Sequence, residues 1–429
     1  MTSRSGPCRR SSSSTRRGAL RSLITVTSVA SQGGVAVMTG YFGLLTVAAW
    51  RAVATGRHRT APAAPPKHRF VILVPAHDEE RLIGSTVASL MALDYPPALR
   101  SVHVVADNCT DATATIARAH GAEVHERTAP DEPGKGPALR WLLARLWARD
   151  EPHDAVVIID ADTTASADFL RVMDAKLSAG ASAVQAYYAV RDEGSSGAVG
   201  FRAAALAVRH YLRPLGRTEL GGASGLYGNG MVFRADVLRA RAFTNHLTED
   251  IEYQLELLLE GTKVAFAPDA RVEAEMPTTV AGSRTQHERW ERGRIEMARR
   301  FVPRLLRRSI TSGPAGRFAY VDAAMDQLLP PFSLIAAATV ASGGLAVLRA
   351  LFAPSRAARR GVATAAVLAV IQAAHVMSGL KMVDAPASVY RSLLSAPKMV
   401  WWKLGLWLRV LKPSQDVSWV RTQRNEESA

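Results

Sequence analysis

Cysteine is scarce in this sequence: Cys8 and Cys109 stand far apart in a chain of 429 residues. A disulfide framework is therefore not expected, and a reducing compartment is the default. There is no CxxC pair and no Cys/His cluster along the sequence to indicate a structural zinc site. A recognition motif for nucleic acid is also lacking, so no nucleic-acid partner is predicted.

Acidic residues are the other shortage, with 38 Asp and Glu against 53 Lys and Arg and a formal net charge of +15. Such a surplus suits nucleic acid, an anionic lipid surface or an anionic small substrate. Because much of the surplus flanks apolar segments, lipid and a diphosphate are favoured, and nucleic acid is the alternative.

Near the N-terminus, residues 1–31 are rich in Ser and Arg and are predicted to be a disordered tail. Gly33 to Trp50 then carries no charge over 18 residues, close to the ~20 residues that span a bilayer. This run predicts a transmembrane helix over 32–51, with a buried helix of a soluble domain as the alternative. The Ala/Pro-rich residues 52–68 are predicted to be a linker.

The C-terminal third contains two more uncharged runs, of 21 and 20 residues, and a later segment that mixes Trp with Lys and Arg. The resulting predictions are an interfacial connector over 304–326, transmembrane helices over 327–349 and 361–381, an amphipathic interfacial helix over 386–412 and a tail over 413–429. Arginines between the two spans oppose a cytoplasmic location for the centre of the chain. A shallow hairpin is the alternative for this pair.

Residues 69–303 show the pattern of an α/β domain. The apolar runs Phe70–Val74, Val102–Ala106 and Val156–Asp160 predict buried parallel strands, and Glu79–Leu93 predicts a helix after the first. Strand, helix and strand at this spacing indicate a Rossmann-like sheet. Ligands bind at the carboxyl ends of such strands, so the polar residues found there are the candidates for function.

Polar loops follow the first two strands, at 75–80 and 106–111. Glu79 in the first and Asp107 in the second are candidates for hydrogen bonds to a base and a ribose. Polar residues also follow strands in ordinary turns, and that alternative stays open.

The third strand ends in Asp160-Ala-Asp162. Two carboxylates this close repel each other unless a cation lies beside them. Hard divalent ions take carboxylate and phosphate oxygens as ligands, so the pair predicts a metal-bound nucleotide diphosphate. The alternative is the N-terminal cap of a helix, since Thr163 and Thr164 follow.

Two later motifs are compatible with helices. Thr248-Glu-Asp250 opens a helical run, and Asp250 is a candidate base for an acceptor hydroxyl, although carboxylates here also suit the helix dipole. Gln286, Arg289 and Trp290 share one helical face, which offers an amide, a guanidinium and an aromatic plane to a sugar diphosphate. A basic amphipathic helix at a membrane would show the same residues.

Taken in order, these motifs resemble glycosyltransferase family 2. The resemblance covers about Phe70 to Arg300 and points to the membrane-embedded branch that includes cellulose, chitin and hyaluronan synthases and bacterial exopolysaccharide transferases. It implies a Rossmann-like, glycosyltransferase A-type domain flanked by transmembrane helices, an Mg or Mn ion, and inverting transfer from a nucleotide-diphosphate sugar.

The resemblance also implies roles for individual residues. It assigns donor binding to Pro75, Glu79, Asp107, Lys135 and Asp160, the metal to Asp162 with Asp160, the catalytic base to Asp250, and the acceptor and diphosphate to Gly228, Asn229, Gly230, Glu249, Gln286, Arg289 and Trp290. Lys135 is alternatively a solvated turn lysine. His77 and Asp78 stand where members commonly carry Tyr and Asn, and Ala106 replaces the first acid of a common pair.

The implied function is sugar transfer to a polysaccharide or lipid-linked acceptor at the cytoplasmic face of the cell inner membrane, in exopolysaccharide or cell-surface glycan synthesis. The Gln-x-x-Arg-Trp set favours a growing polysaccharide. Export or polymerisation proteins are further expected partners. The alternatives are a non-catalytic scaffold subunit and a membrane nucleotidyltransferase.

Overall fold

The computed structural model describes residues 11–60, 65–149, 151–244, 248–276 and 284–410. The strands are β1 (Phe70–Ala76), β2 (Arg100–Asp107), β3 (Glu123–Arg127), β4 (Ala155–Ile158), β5 (Thr163–Ala165), β6 (Ala183–Val190), β7 (Met231–Arg234) and β8 (Val264–Ala274). The helices are α1 (Ser11–Ala54), α2 (Ile83–Met91), α3 (Thr113–Ala119), α4 (Lys135–Trp147), α5 (Phe169–Ser178), α6 (Gly197–Leu206), α7 (Arg213–Glu219), α8 (Ala235–Ala240), α9 (Glu249–Leu259), α10 (Arg284–Thr311), α11 (Pro314–Leu328), α12 (Phe332–Phe352), α13 (Arg356–Met382), α14 (Ala387–Ser392) and α15 (Ala396–Val410). A π-helical segment, Ala207–Leu212, joins α6 to α7.

The strands form one mixed sheet in the order β3-β2-β1-β4-β7-β6-β8-β5. β1 is parallel to β2 and β4, and β2 is parallel to β3, whereas β7 is antiparallel to β4 and β6. The predicted α/β, Rossmann-like arrangement is confirmed. The carboxyl ends of β1, β2 and β4 lie side by side, which brings the loops after these strands together.

Both faces of the sheet are buried because helices cover each of them. Ile72 and Val74 of β1 face a core that includes residues of α2 and α5. Val71 and Leu73 face the opposite core, with residues of α4 and α9. Burial on both faces explains why the strands read as continuous apolar runs.

The helix predicted over Glu79–Leu93 begins later, at Ile83. Asp78, just before this segment, has a positive φ of 52°. Residues 79–82 form a turn that leads into α2, because the carbonyl of Glu79 accepts from the N–H groups of Leu82 at 3.1 Å and Ile83 at 3.0 Å. The backbone N–H of Glu79 donates to Thr113 Oγ1 at 2.7 Å, and that of Glu80 donates to Asp111 at 3.0 Å, as the first N–H groups of a helical segment require acceptors from outside it.

The predicted domain end at 303 falls inside α10, and the predicted connector 304–326 is part of a folded core. Phe301 and Leu305 of α10 and Tyr320 of α11 are buried against Leu255 and Leu258 of α9. The basic residues that resemble a membrane interface alternate with apolar residues at helical spacing, and the apolar ones pack inward.

The amphipathic helix predicted over 386–412 is broken into α14, a short 3₁₀ turn at Leu393–Ser395, and α15. Lys403 of α15 pairs with Glu291 of α10 at 2.9 Å, and Arg409 pairs with Glu288 at 3.4 Å. Trp401 is 79% exposed. Residues 411–412 and the predicted tail 413–429 lie outside the described residues.

Helix α1 begins at Ser11, inside the segment 1–31 for which a disordered tail is predicted. The sequence from Ala19 to Val29 is largely apolar and has no Gly or Pro, so a helix propagates through it. Residues 1–10 lie outside the described part of the chain.

The chain divides into two compact units, residues 1–44 with 329–375, and residues 45–328 with 376–429. In the first unit, Gln372 Nε2 donates to Thr39 Oγ1 at 2.8 Å and to Thr339 Oγ1 at 2.7 Å, which ties α1, α12 and α13 together. Within the described residues, three helical stretches are long and apolar enough to cross a bilayer: Thr25–Ala54, Phe332–Phe352 and Arg356–Met382.

Candidate active site

Asp160 and Asp162 follow β4 at its carboxyl end and are both partly buried. The backbone N–H of Asp160 donates to Asn229 Oδ1 at 3.2 Å, and Thr163 Oγ1 donates to Asp162 Oδ1 at 3.1 Å. Thr163 opens strand β5, and the helix that follows begins only at Phe169. The alternative interpretation of this pair as a helix cap therefore does not apply.

Lys135 lies among the acidic residues of the candidate site. It is the first residue of α4, and its ammonium pairs with the carboxylate of Asp160 and donates to the carbonyl of Gly228. Burial lowers the pKa of Lys135, but the charges of Asp160, Glu249 and Asp250 outweigh burial and raise that pKa above its ordinary value. Lys135 is therefore not a solvated turn residue.

The loop Gly228–Gly230 contributes backbone between the Lys135–Asp160 pair and Asp250. Gly228 and Gly230 have φ of +76° and +66°, which glycine adopts without strain. A β-carbon on Gly228 would lie 3.5 Å from Asp250 Oδ2 and 3.8 Å from Lys135 Nζ. Asn229 between them is fully buried. The loop thus lies between Asp250 and the lysine that pairs with the β4 carboxylate.

Glu249 and Asp250 are the first two residues of α9, where the helix dipole favours negative charge. Burial, followed by the charge of Asp250, raises the pKa of Glu249 to about 7. Burial also raises the pKa of Asp250, although the charges of Lys135 and Arg209 oppose this shift. A carboxylate with a raised pKa is a better proton acceptor near neutral pH.

The remaining candidates for donor binding lie near the carboxyl ends of β1 and β2. Pro75 lies within β1 and is paired in register with Val105 of β2. Asp107 ends β2, is buried, and accepts a 2.5 Å hydrogen bond from Arg127. Arg127 was not predicted as a site residue, because a lone arginine at the end of a strand belongs to no recognisable motif. Glu79 lies in the turn after β1 and is partly buried.

Gln286, Arg289 and Trp290 lie in the first two turns of α10, so they share a helix as predicted. Trp290 is 41% exposed, and the side chains of Gln286 and Arg289 lie outside the described residues. Further along α10, a β-carbon on Gly293 would lie 2.4 Å from Thr248 Cγ2. This close approach places α10 directly against the start of α9.

A group of arginines next to Asp250 was also missed. Arg209, Arg213 and Arg217 line one narrow cavity together with Arg294 and Asp326. Burial opposes ionisation of Asp326, but the surrounding arginines hold its pKa well below the usual range. The spacing of four residues from 209 to 217 is a signal that would have placed these arginines on one helical face.

The donor atoms at Asp160 and Asp162 are suited to a hard divalent cation, since carboxylate oxygens are the ligands that Mg²⁺ and Mn²⁺ prefer. Asp160 shares its carboxylate with Lys135, which favours Asp162 as the principal ligand. The residues present therefore fit the ion that the resemblance implies.

Comparison with known proteins gave one family match. The model described as glycosyltransferase-like family 2 matches residues 65–293, more than half of the chain. This match and the sheet together confirm the predicted glycosyltransferase A-type fold.

Curated relatives and solved structures were also found. The β-monoglucosyldiacylglycerol synthases of a Synechocystis species and a Nostoc species are 30% and 27% identical, over 53% and 52% of this chain and 48% of each relative. The chain thus matches about half the length of these relatives. A mannosyltransferase from Pyrobaculum calidifontis, solved with GDP-Man and Mn²⁺, is 20% identical, with coverage of 83% of this chain and 98% of that chain and a TM-score of 0.49.

Proposed function

This chain belongs to glycosyltransferase-like family 2, and from that premise we propose that it transfers a sugar from a nucleotide-diphosphate sugar to a lipid acceptor at a membrane. The observation that carries the proposal is the position of Lys135. Its ammonium pairs with Asp160 after β4, and its pKa responds to the charges of Glu249 and Asp250 at the start of α9. The acids proposed for the donor and for the acceptor therefore all lie near this lysine.

In this proposal the donor lies along the carboxyl ends of β1, β2 and β4. Pro75, Glu79 and Asp107 bind the nucleoside, and Arg127 fixes the orientation of the Asp107 carboxylate. Lys135 and Asp160 lie beside the diphosphate. Asp162, with Asp160, holds Mg²⁺ or Mn²⁺, which when bound offsets the negative charge of the departing diphosphate.

Asp250 acts as the general base. It takes the proton from the acceptor hydroxyl as the acceptor oxygen bonds to the anomeric carbon and the bond from that carbon to the diphosphate oxygen breaks. Attack from the face opposite the diphosphate inverts the anomeric centre. Burial supports this role because it raises the pKa of Asp250, and Gly228 leaves room beside its carboxylate for an acceptor.

Three residues of α10 are assigned to the same site in this proposal. Arg289 neutralises the leaving diphosphate and Trp290 offers a plane on which a sugar rests, with Gln286 on the same face of the helix. Glu249, Asn229 and Gly230 shape the acceptor side. Preorganised charge of this kind is commonly the largest contribution to the rate of such reactions.

A lipid acceptor is supported by two observations. Both curated relatives are named as synthases of a glucosyldiacylglycerol, and three helical stretches of this chain are apolar enough to cross a bilayer. We therefore propose an integral protein of the cell inner membrane, with spans near 32–51, 327–349 and 361–381 and a cytoplasmic catalytic domain. The exopolysaccharide role that the Gln-x-x-Arg-Trp set favoured is the competing proposal.

Product analysis distinguishes these proposals. Membranes that contain the full chain are incubated with a panel of labelled nucleotide sugars or labelled nucleoside triphosphates, with Mg²⁺, with Mn²⁺ or with EDTA. The products are then separated into those that enter organic solvent and those that stay in water. We expect one donor to label a small lipid in a reaction that EDTA abolishes and either metal restores.

Other outcomes contradict specific parts of the proposal. A ladder of water-soluble products would replace the lipid acceptor with a growing polysaccharide. Label from nucleoside triphosphates alone would indicate a nucleotidyltransferase, and neither transfer nor hydrolysis of any donor would indicate a scaffold subunit. Full activity in EDTA would refute the role of the ion.

A further inference from the structure

Two buried histidines and a glutamate meet near the edge of the sheet, away from the cleft described above. In the register of β2 and β3, His103 lies beside Glu123, and His125 is two residues further along the same face of β3. His103 precedes Asp107 by four residues, about 13 Å along the strand. The cluster is therefore separate from the proposed donor site.

The ligand-bearing atoms of these residues form a small triangle. His103 Nδ1 lies 3.2 Å from His125 Nε2. Oxygens of the Glu123 carboxylate lie 3.5 Å from His103 Nδ1 and 3.3 Å from His125 Nε2. In a tetrahedral zinc site with Zn–N distances of 2.0–2.1 Å, neighbouring ligand atoms are about 3.3 Å apart.

The three groups can present lone pairs to one point. Ser101 Oγ lies 3.0 Å from His103 Nε2, which fits a proton on that nitrogen and a lone pair on Nδ1. A neutral imidazole at His125 offers a lone pair at Nε2 in one of its two tautomers, and an ionised Glu123 carboxylate only accepts.

We propose that His103, Glu123 and His125 form a structural binding site for a transition-metal cation of the Zn²⁺ class. The surrounding residues orient these ligands as outer partners do in known metal sites. Ser101 orients the ring of His103, and Arg149 donates to Glu123 Oε1 at 2.5 Å, while Glu123 Oε2 lies 3.5 Å from His103 Nδ1.

Water would complete the coordination of an ion held by these three side chains. A bound ion would fasten β3, the edge strand, to β2. Local sequence did not indicate this site, because strand pairing brings together residues that lie far apart along the chain.

The test uses the full chain, purified in detergent without a polyhistidine tag, and Zn²⁺ alone as the probe. Retained zinc is measured by elemental analysis after gel filtration, and the melting temperature is measured with zinc and with chelator. The variants are His125→Gln and Glu123→Gln. The control is His120→Gln, which alters an exposed histidine on a neighbouring segment. All are made also with Asp162→Asn, so that zinc at the proposed donor site is not counted.

We expect about one zinc per chain in the Asp162→Asn background and in the His120→Gln control, with a higher melting temperature when zinc is present. Both triangle variants should lose the zinc and the rise in melting temperature. If His125→Gln does not fold, Glu123→Gln decides, since its side chain is 46% exposed. Zinc retention equal to the control in Glu123→Gln, or no zinc in the unsubstituted site, would overturn the proposal.

Discussion

Replacing Glu249 with glutamine is expected to stabilise the folded protein above pH 7. Burial raises the pKa of Glu249 from 4.5 to about 7 in the folded protein, so an unfolded chain loses this proton first as pH rises. Between these values the folded state binds more protons than the unfolded state, and stability falls as pH rises. Below pH 4.5 both states are protonated and this penalty is absent.

The size of this penalty follows from the two pKa values. A difference from 4.5 to about 7 corresponds to about 3 kcal/mol, since one pKa unit is worth 1.36 kcal/mol. The value of about 7 already includes the attraction of Lys135, which lowers the pKa of Glu249, so this is the net penalty that glutamine removes. We therefore expect a net gain of about 1–3 kcal/mol at pH 8.

Chemical unfolding in detergent at pH 5 and pH 8, followed by tryptophan fluorescence, measures the difference between Glu249→Gln and the native chain. Glu151→Gln changes an exposed carboxylate and should leave stability nearly unchanged at both pH values. If the free energy of unfolding rises equally at pH 5 and pH 8, or falls at pH 8, then ionised Glu249 does not destabilise the folded protein.

Two other substitutions test the packing around the cleft. Arg217→Met should lower the free energy of unfolding by about 3–5 kcal/mol, because Asp322, which is fully buried, loses a 2.6 Å contact with the guanidinium. Arg171→Met removes an exposed ion pair and should have a much smaller effect in the same unfolding assay. Gly136→Ala should cost about 1–3 kcal/mol and weaken donor binding by calorimetry, because its β-carbon would lie 2.3 Å from the carbonyl oxygen of Thr244 and α4 would shift. Unchanged donor affinity would show that the start of α4 does not position Lys135.

The sheet could be predicted because β1, β2 and β4 are buried on both faces. Their continuous apolar runs are visible in the local sequence, without knowledge of the neighbouring strands and helices. The start of the helix after β1 was less predictable. Residues 79–82 form a turn, and the regular helix begins at Ile83. The N–H groups of Glu79 and Glu80 bond to Thr113 and Asp111, acceptors more than thirty residues away that local propensity does not include.

The same distinction applies to the site. Asp160, Asp162 and Asp250 are recognisable from local context, since each lies at the end of a strand or the start of a helix. Arg127 and Arg209 act through tertiary position, beside Asp107 and Asp250 respectively. No pattern in the sequence marks Arg127, and the four-residue spacing of Arg209, Arg213 and Arg217 indicates a shared helical face but not its position beside Asp250.

The segment 304–326, predicted to be an interfacial connector, shows how one composition can serve two environments. Its many arginines resemble a membrane interface, yet Arg304 pairs with Glu256 of α9 at 2.7 Å, and the apolar residues between the arginines fill a core. Charge pattern alone does not separate a helix that lies on lipid from one that lies on an acidic helix.

Replacing Asp250 with asparagine tests the central claim most directly, with transfer rate and donor affinity measured on the same preparation. Asp236→Asn is a matched control, because each aspartate accepts a hydrogen bond from the next backbone N–H in the first turn of a helix. We expect Asp250→Asn to lower kcat by about 10²–10⁴-fold with donor affinity nearly unchanged, and Asp236→Asn to retain full activity. Normal turnover in Asp250→Asn, or an equal loss of donor binding and turnover, would contradict a proton acceptor at Asp250.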